Sequence, residues 1–469
     1  MTRERVGGRR FAFGLLALCI LALAVRVSYV ALAKSGPCPI VRNGTVVATY
    51  HSECTGEYPD RPNDQAWYNF MANQIAVGNG FTNPLAPHEA WADHPPLAAL
   101  VLSSASFVFD HAPFSALADE AVFTNGSKVK THVREQRYLM AIVGTLNVAL
   151  IGLLARRIGG DSAGLLAAGF AALYPNLWVN DGLLFAETIA ITCVLLVALA
   201  ALRCGAKSGL RAFVVLGGAI GAAALARSEL ILFLPLLLVP LAIAARGRIR
   251  TMVLRIGVGA LTTIVVLAPW FAYNHGRFDK TVLLSTNDGL ALAGSNCDPV
   301  YYGSAIGLWT TEGSCSFSPS ELARLGDQSR VSAAYRSKAV DYIEHHKRRL
   351  PVVVAARLGR TWSTYAVGQM VDYNQGENRE PLVSWLGLVA YYPLMLAAAI
   401  GVVLLWRYRE RRSLWVLLVP MISVTAVTVL TYGQTRFRAT AEPSIVVLAS
   451  LAVVWAVDAV RRRRVNASN

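Results

Sequence analysis

The sequence predicts an all-α integral membrane protein of about ten transmembrane helices, with two extracytoplasmic segments that carry juxtamembrane helices. Three observations lead there. Of 469 residues, 54% are hydrophobic and 16% charged, whereas a soluble domain carries about 25% charge. Apolar runs nearly free of charge recur along the chain, many close to the ~20 residues that cross a bilayer as a helix. The basic residues, finally, gather in short blocks between those runs. So apolar a composition also excludes a disordered chain.

A net charge of +15 would suit a nucleic-acid binder, but its distribution argues for topology instead. The blocks are Arg3 to Arg10, Arg156-Arg157, Arg203 to Arg211, Arg246 to Arg255, Arg407 to Arg412 and Arg461 to Arg464. With all of them in the cytoplasm, the inner side holds 21 Lys/Arg against 4 acids (Glu4, Asp161, Glu410 and Asp458), leaving 23 against 25 elsewhere. That asymmetry follows the positive-inside rule. Nucleic acid is therefore not an expected partner; membrane lipid is.

The spans that fit are 11–33, 138–155, 162–180, 188–202, 212–226, 230–245, 256–273, 382–406, 413–432 and 441–460, with both termini cytoplasmic. The first follows Arg9-Arg10 like a signal peptide but has no clear small-residue cleavage site, so a retained anchor is expected. The chain then divides into an N-terminal membrane module (1–273), an extracytoplasmic segment (274–381) and C-terminal transmembrane helices (382–469). Within the module, 34–137 forms a first outer loop. There Pro95-Pro96 opens a short apolar run, Leu97 to Phe109, better suited to an interfacial or re-entrant helix than to a span. In the second segment, Ser320 to Leu350 has loosely helical spacing. Pro351 to Ala366, with Arg357 and Arg360, reads as a helix lying on the outer membrane surface. Four of seven cysteines are outside, and two local disulfides, Cys38–Cys54 and Cys297–Cys315, are expected over free thiols or a zinc site.

Chemistry is expected at the outer interface. The spans hold few charged residues, whereas transporters and proton pumps place ionisable groups near the midplane. Here such groups collect at helix mouths: Arg26, Asp181, Glu187, Arg227, Glu229, Arg436, Arg438 and Glu442. The first outer loop adds Asp64 and Asp93-His94. Asp64 opens the stretch Asp64-Gln65-Ala66-Trp67-Tyr68, which runs on to Gly78-Asn79-Gly80-Phe81 and reads as a short helix ending at glycines. An acid there could take a proton from an acceptor hydroxyl, or simply cap the helix. Asp60 and Asp93 are its rivals.

In order, these features resemble the glycosyltransferase C superfamily, specifically the branch of protein mannosyltransferases and lipid A aminoarabinose transferases. The resemblance begins with Asp64, Gly78-Asn79-Gly80-Phe81 and His94-Pro95-Pro96-Leu97. It continues through Ala155-Arg156-Arg157-Ile158-Gly159-Gly160, Pro175 with Asp181 and Glu187, and Ala226-Arg227-Ser228-Glu229. Pro269-Trp270 with Asn274, Leu284-Ser285-Thr286-Asn287-Asp288-Gly289, and Gly433-Gln434-Thr435-Arg436-Phe437-Arg438 with Ala441-Glu442-Pro443 complete it. Two positions depart: Gln65 stands where members often have a second acid, and His94 where many have lysine.

The resemblance implies transfer of a sugar from a polyprenyl-phosphate carrier to an envelope glycan, lipid or protein acceptor on the outer face of the cytoplasmic membrane. It implies an inverting single displacement with Asp64 as the catalytic base. His94, Glu187, Arg227, Arg436 and Arg438 are the expected substrate and phosphate contacts, since arginine holds a leaving phosphate bidentately. No cofactor is certain. A divalent metal stays open, because Asp64, Asp93, His94 and Glu187 could converge. A transporter or lipid flippase without catalysis is the alternative, and a polar path through the midplane would mark it.

Overall fold

The computed structural model describes the chain except residues 1–7, 35–37, 43–44, 51–63, 84–85, 112, 119, 124–127, 206–207, 246 and 468–469. Every expected span falls on helix. Six helices are long and apolar enough to cross a membrane: Gly8–Ala33, Val133–Gly159, Ile249–Asn274, Pro381–Arg407, Arg411–Leu430 and one that starts at Glu442. A seventh arises if the pair Asp161–Leu173 and Pro175–Gly182, bent by 64°, is one span. The chain is thus a multi-pass membrane protein. The other expected spans are the shorter apolar helices Glu187–Ala201 and Leu210–Ala226 and the irregular stretch Ser228–Ala244. At 1.5 Å per residue these reach only about 22–26 Å, short of the ~30 Å hydrocarbon core.

Proline explains the irregular elements. Pro175 has no N–H to donate to the preceding turn and starts a new helix at an angle, which breaks the straight span expected over 162–180. Pro235 and Pro240 act within Ser228–Ala244, which passes from a 3₁₀ turn through a π-helical turn, Leu234–Leu238, to Val239–Ala244. Small residues permit close approach elsewhere. A side chain on Gly164 would strike the Gly152 carbonyl at 2.8 Å, so the helices on either side of the Arg156-Arg157 turn pack almost backbone to backbone.

Helix dominates as expected, while length and hydropathy give six or seven spans where about ten were expected; three further details qualify the sequence reading. The little sheet present is four-stranded and antiparallel, with Cys38–Arg42, Thr45–Tyr50, Glu120–Phe123 and Lys128–Lys130 in that order. A two-stranded ribbon, Thr82–Asn83 with Ala86–Ala90, follows the first short helix. The β-branched run in Thr45–Tyr50 suits a strand. Second, the helix Leu350–Thr361, expected on the outer membrane surface, turns its arginines into the protein. Arg357 and Arg360 are 1% and 0% exposed and donate inward, Arg357 to the Val429 carbonyl (3.1 Å) and Asn296 (3.1 Å), Arg360 to the Ile306 carbonyl (2.6 Å). Arg357 fastens the second segment onto the span Arg411–Leu430, and Arg360 ties that segment to itself. Third, Arg26 and Asp181, both placed at helix mouths by the sequence, form a buried pair at 2.6 Å, with Thr188 also donating to Asp181 (2.7 Å).

The Cys297–Cys315 disulfide is formed. The Cys38–Cys54 pairing and Asp60 lie outside the described residues.

Candidate active site

Asp64 is the first residue of the helix Asp64–Ala76, where free backbone N–H groups favour a carboxylate. The glycines that end this helix make a docking turn. Gly80 sits at φ +68 against the Tyr273 hydroxyl, which accepts from the Phe81 N–H (3.1 Å), while Phe81 packs edge-on to Trp270. The motif residues Gly78-Asn79-Gly80-Phe81 and Pro269-Trp270 therefore serve to seat the Asp64 helix against Ile249–Asn274.

Arg436 comes from the far end of the chain. Its 3₁₀ turn, Thr435–Thr440, is held by Gly433, whose N–H donates to the Gly307 carbonyl (2.7 Å). A side chain on Gly433 would strike the Arg357 backbone, so only glycine lets this turn lie on the helix Leu350–Thr361. Asn374 and Thr361 hold the next residues, through the Thr435 hydroxyl (3.1 Å) and the Gln434 N–H (3.1 Å). So fixed, each guanidinium nitrogen of Arg436 meets a different carboxylate: Nε to Glu187 (2.6 Å), Nη1 to Glu377 (3.0 Å) and Nη2 to Asp64 (2.7 Å). Arg227 pairs with the same oxygen of Glu187 and with Glu229.

His94 completes the group. Its ring stacks on Tyr68 (5.0 Å, 15°) and meets Trp67 edge-on (4.8 Å). Its Nε2 lies 3.4 Å from an oxygen of both Asp64 and Asp93 without an aligned hydrogen bond to either. Burial works against charge on all of these groups, and their mutual attraction overrides it in part. Burial would raise the Asp64 carboxyl, yet Arg436 and His94 hold it well below the usual carboxylate range. Burial would depress His94, yet Asp64 and Asp93 lift it above its ordinary value. Asp93 is raised, because burial and the Asp64 charge outweigh His94. The two rival acids thus differ: Asp64 is the one kept ionised.

Asp64, His94, Arg227, Glu229 and Arg436 line a cavity of about 340 Å³. Another wall carries Ser285, Asn287 and Asp288, from the motif that begins at Leu284, and a third is apolar, with Leu292, Val427 and Leu430. Leu430 is 63% exposed at the end of a span, so this third wall runs out towards the membrane. One cavity therefore offers an ionic corner, a polar wall and an apolar exit, which together suit an amphiphilic ligand.

Two expected contacts are placed differently. Glu187, 0% exposed, is no phosphate contact itself, since an ionised carboxylate repels phosphate; it positions Arg227 and Arg436. Arg438 faces away from Asp64. It is buried against Glu442 (2.6 Å), lies over the Tyr391 ring (3.7 Å) and donates to the Ser363 hydroxyl (2.8 Å), beside a separate small cavity. Sequence reasoning missed Glu377, whose signal was the charged run Glu377 to Glu380 just before a span. Asp64, Asp93 and His94 do converge, but among the described residues no three His, Cys, Asp or Glu side chains are grouped to hold a metal ion.

Comparison with known proteins bears on the family and the fold. Residues 110–273 match the family model described as dolichyl-phosphate-mannose-protein mannosyltransferase. No curated protein matches the chain in sequence. In fold, the oligosaccharyltransferase of Archaeoglobus fulgidus, tethered with an acceptor peptide containing the NVT sequon, matches 96% of this chain and 50% of its own, at TM-score 0.51 and 16% identity. The same organism's AglB, in complex with an inhibitory peptide and a dolichol-phosphate, gives TM-score 0.49 at 16% identity over 96% of this chain and 51% of its own. ArnT from Cupriavidus metallidurans, bound to undecaprenyl phosphate, gives 0.42 at 14% over 95% and 78%. The chain spans about half the length of the archaeal enzyme. The family match supports the resemblance to protein mannosyltransferases over residues 110–273, and the fold shared with the archaeal enzyme extends over nearly the whole chain.

Proposed function

We propose that this protein is a membrane glycosyltransferase that moves a sugar from a polyprenyl-phosphate carrier to an acceptor hydroxyl at the outer face of the cytoplasmic membrane. The observation that carries the reading is the contact of Asp64 with Arg436, at 2.7 Å, in a cavity with an apolar exit. A lipid chain leaving along Val427 and Leu430 puts its phosphate at the arginines and its sugar beside Asp64. The acceptor oxygen then attacks the anomeric carbon from the side of Asp64, which takes the hydroxyl proton. The bond from that carbon to the phosphate oxygen breaks, and its electron pair stays on the phosphate, where Arg436, Arg227 and protonated His94 stabilise the growing charge. One displacement inverts the anomeric centre.

The position of the site outside rests on the charge asymmetry of the loops. Ser320→Cys should react with an impermeant thiol reagent in intact cells and Ser162→Cys should not; the reverse pattern overturns the orientation. For the chemistry, Asp64→Asn keeps size and hydrogen bonding but removes the base. Turnover should fall ~10²–10⁴-fold with carrier binding retained. Near-wild-type turnover in Asp64→Asn, with loss in Asp93→Asn, would move the base to Asp93.

A further inference from the structure

The two guanidiniums of the site, Arg227 and Arg436, face four carboxylates: Asp64, Glu187, Glu229 and Glu377. An anionic phosphate therefore enters a corner where each Arg436 nitrogen is already engaged. Bidentate capture of phosphate needs two parallel N–H groups, and the end-on edge of Arg436, Nη1 and Nη2, is held by Glu377 and Asp64. Glu187 is poorly placed to yield, being fully buried between two arginines. The other two are poised to leave. Their side chains are 15% and 35% exposed, and the second oxygen of Glu377 has no hydrogen-bond partner. Glu377 also sits in a turn, with Asn378 at φ +61, just past the helix Val367–Gln375.

We propose that Glu377 and Asp64 keep the place of the donor phosphate on Arg436, and that donor binding displaces both and so frees Asp64 to act as base. The inference rests on the glycosyltransferase reading and adds an order to it: donor first, proton abstraction after. It also accounts for a base that, in the free protein, is held too acidic by Arg436 to accept a proton readily. Glu377 is on this account a positioning residue that competes with substrate.

The sign of one substitution decides it. In the full-length protein in detergent, binding of farnesyl phosphate, a short polyprenyl phosphate, is measured by calorimetry. Glu377→Gln should tighten binding about tenfold and lower the donor KM. Glu377→Ala, which removes the carboxylate, should move the same way and serves if the first variant misfolds. Arg436→Gln should abolish binding. If both Glu377 variants bind as wild type or more weakly while Arg436→Gln loses binding, the place-holding proposal fails and the phosphate reading stands. If Arg436→Gln binds normally, the phosphate reading itself fails.

Discussion

Arg438 separates a structural arginine from a substrate-binding one. Its side chain and that of Glu442 are each 2% exposed and pair at 2.6 Å. The guanidinium also donates to the Thr361 carbonyl and lies on Tyr391, and Tyr174 donates to the other oxygen of Glu442 (2.9 Å). Arg438→Gln strands a buried carboxylate, which costs about 3–5 kcal/mol. The Tyr174 hydrogen bond remains and favours the lower end, so thermal unfolding in detergent should drop by roughly 5–10 °C. Folded variant should still bind farnesyl phosphate as wild type does, because Arg438 does not line the Asp64 cavity. Replacing both partners, Arg438→Met with Glu442→Leu, should recover most of the stability, since an apolar pair leaves no charge unpaired. A variant Arg438→Gln that melts like wild type but no longer binds farnesyl phosphate would refute this and make Arg438 a phosphate ligand.

Other consequences are accessible to simple measurements. His94 is lifted above 6.5 by Asp64 and Asp93 against burial, with Arg436 opposing; its positive charge is present at lower pH and lost as pH rises through the raised value. Donor affinity should therefore weaken along an alkaline limb that His94→Gln removes, and an unchanged limb in that variant would assign it elsewhere. Breaking the Cys297–Cys315 link by Cys315→Ser should destabilise the second segment by about 3 kcal/mol, as for a closed loop of similar length, seen as earlier proteolysis of 274–381. Gly433→Ala should lose donor binding and stability together, because the new methyl meets the Arg357 backbone and displaces the Arg436 turn.

What the sequence could reveal divides along the range of the forces involved. Spans are local: hydropathy over ~20 residues places a helix whatever it packs against, and every expected span does fall on helix. Asp64, as the acidic start of a short helix, is local as well. Its partnership with Arg436 is not, because 372 positions separate them, and only the order of motifs linked the two. Direction was the harder question. The spacing of Arg357 and Arg360 is the same whether they face outward or meet the Val429 and Ile306 carbonyls, so burial alone could decide. Arg436 and Arg438 make the point at closest range. In a 3₁₀ turn three residues complete a circle, so side chains two apart point about 120° away from each other. One of these arginines must leave the cavity if the other enters it. Read only as a short turn between two spans, Gly433 to Arg438 gives no such rule, and both arginines suit a phosphate; the tight turn that Gly433 permits is what sends Arg436 to Asp64 and Arg438 to Glu442.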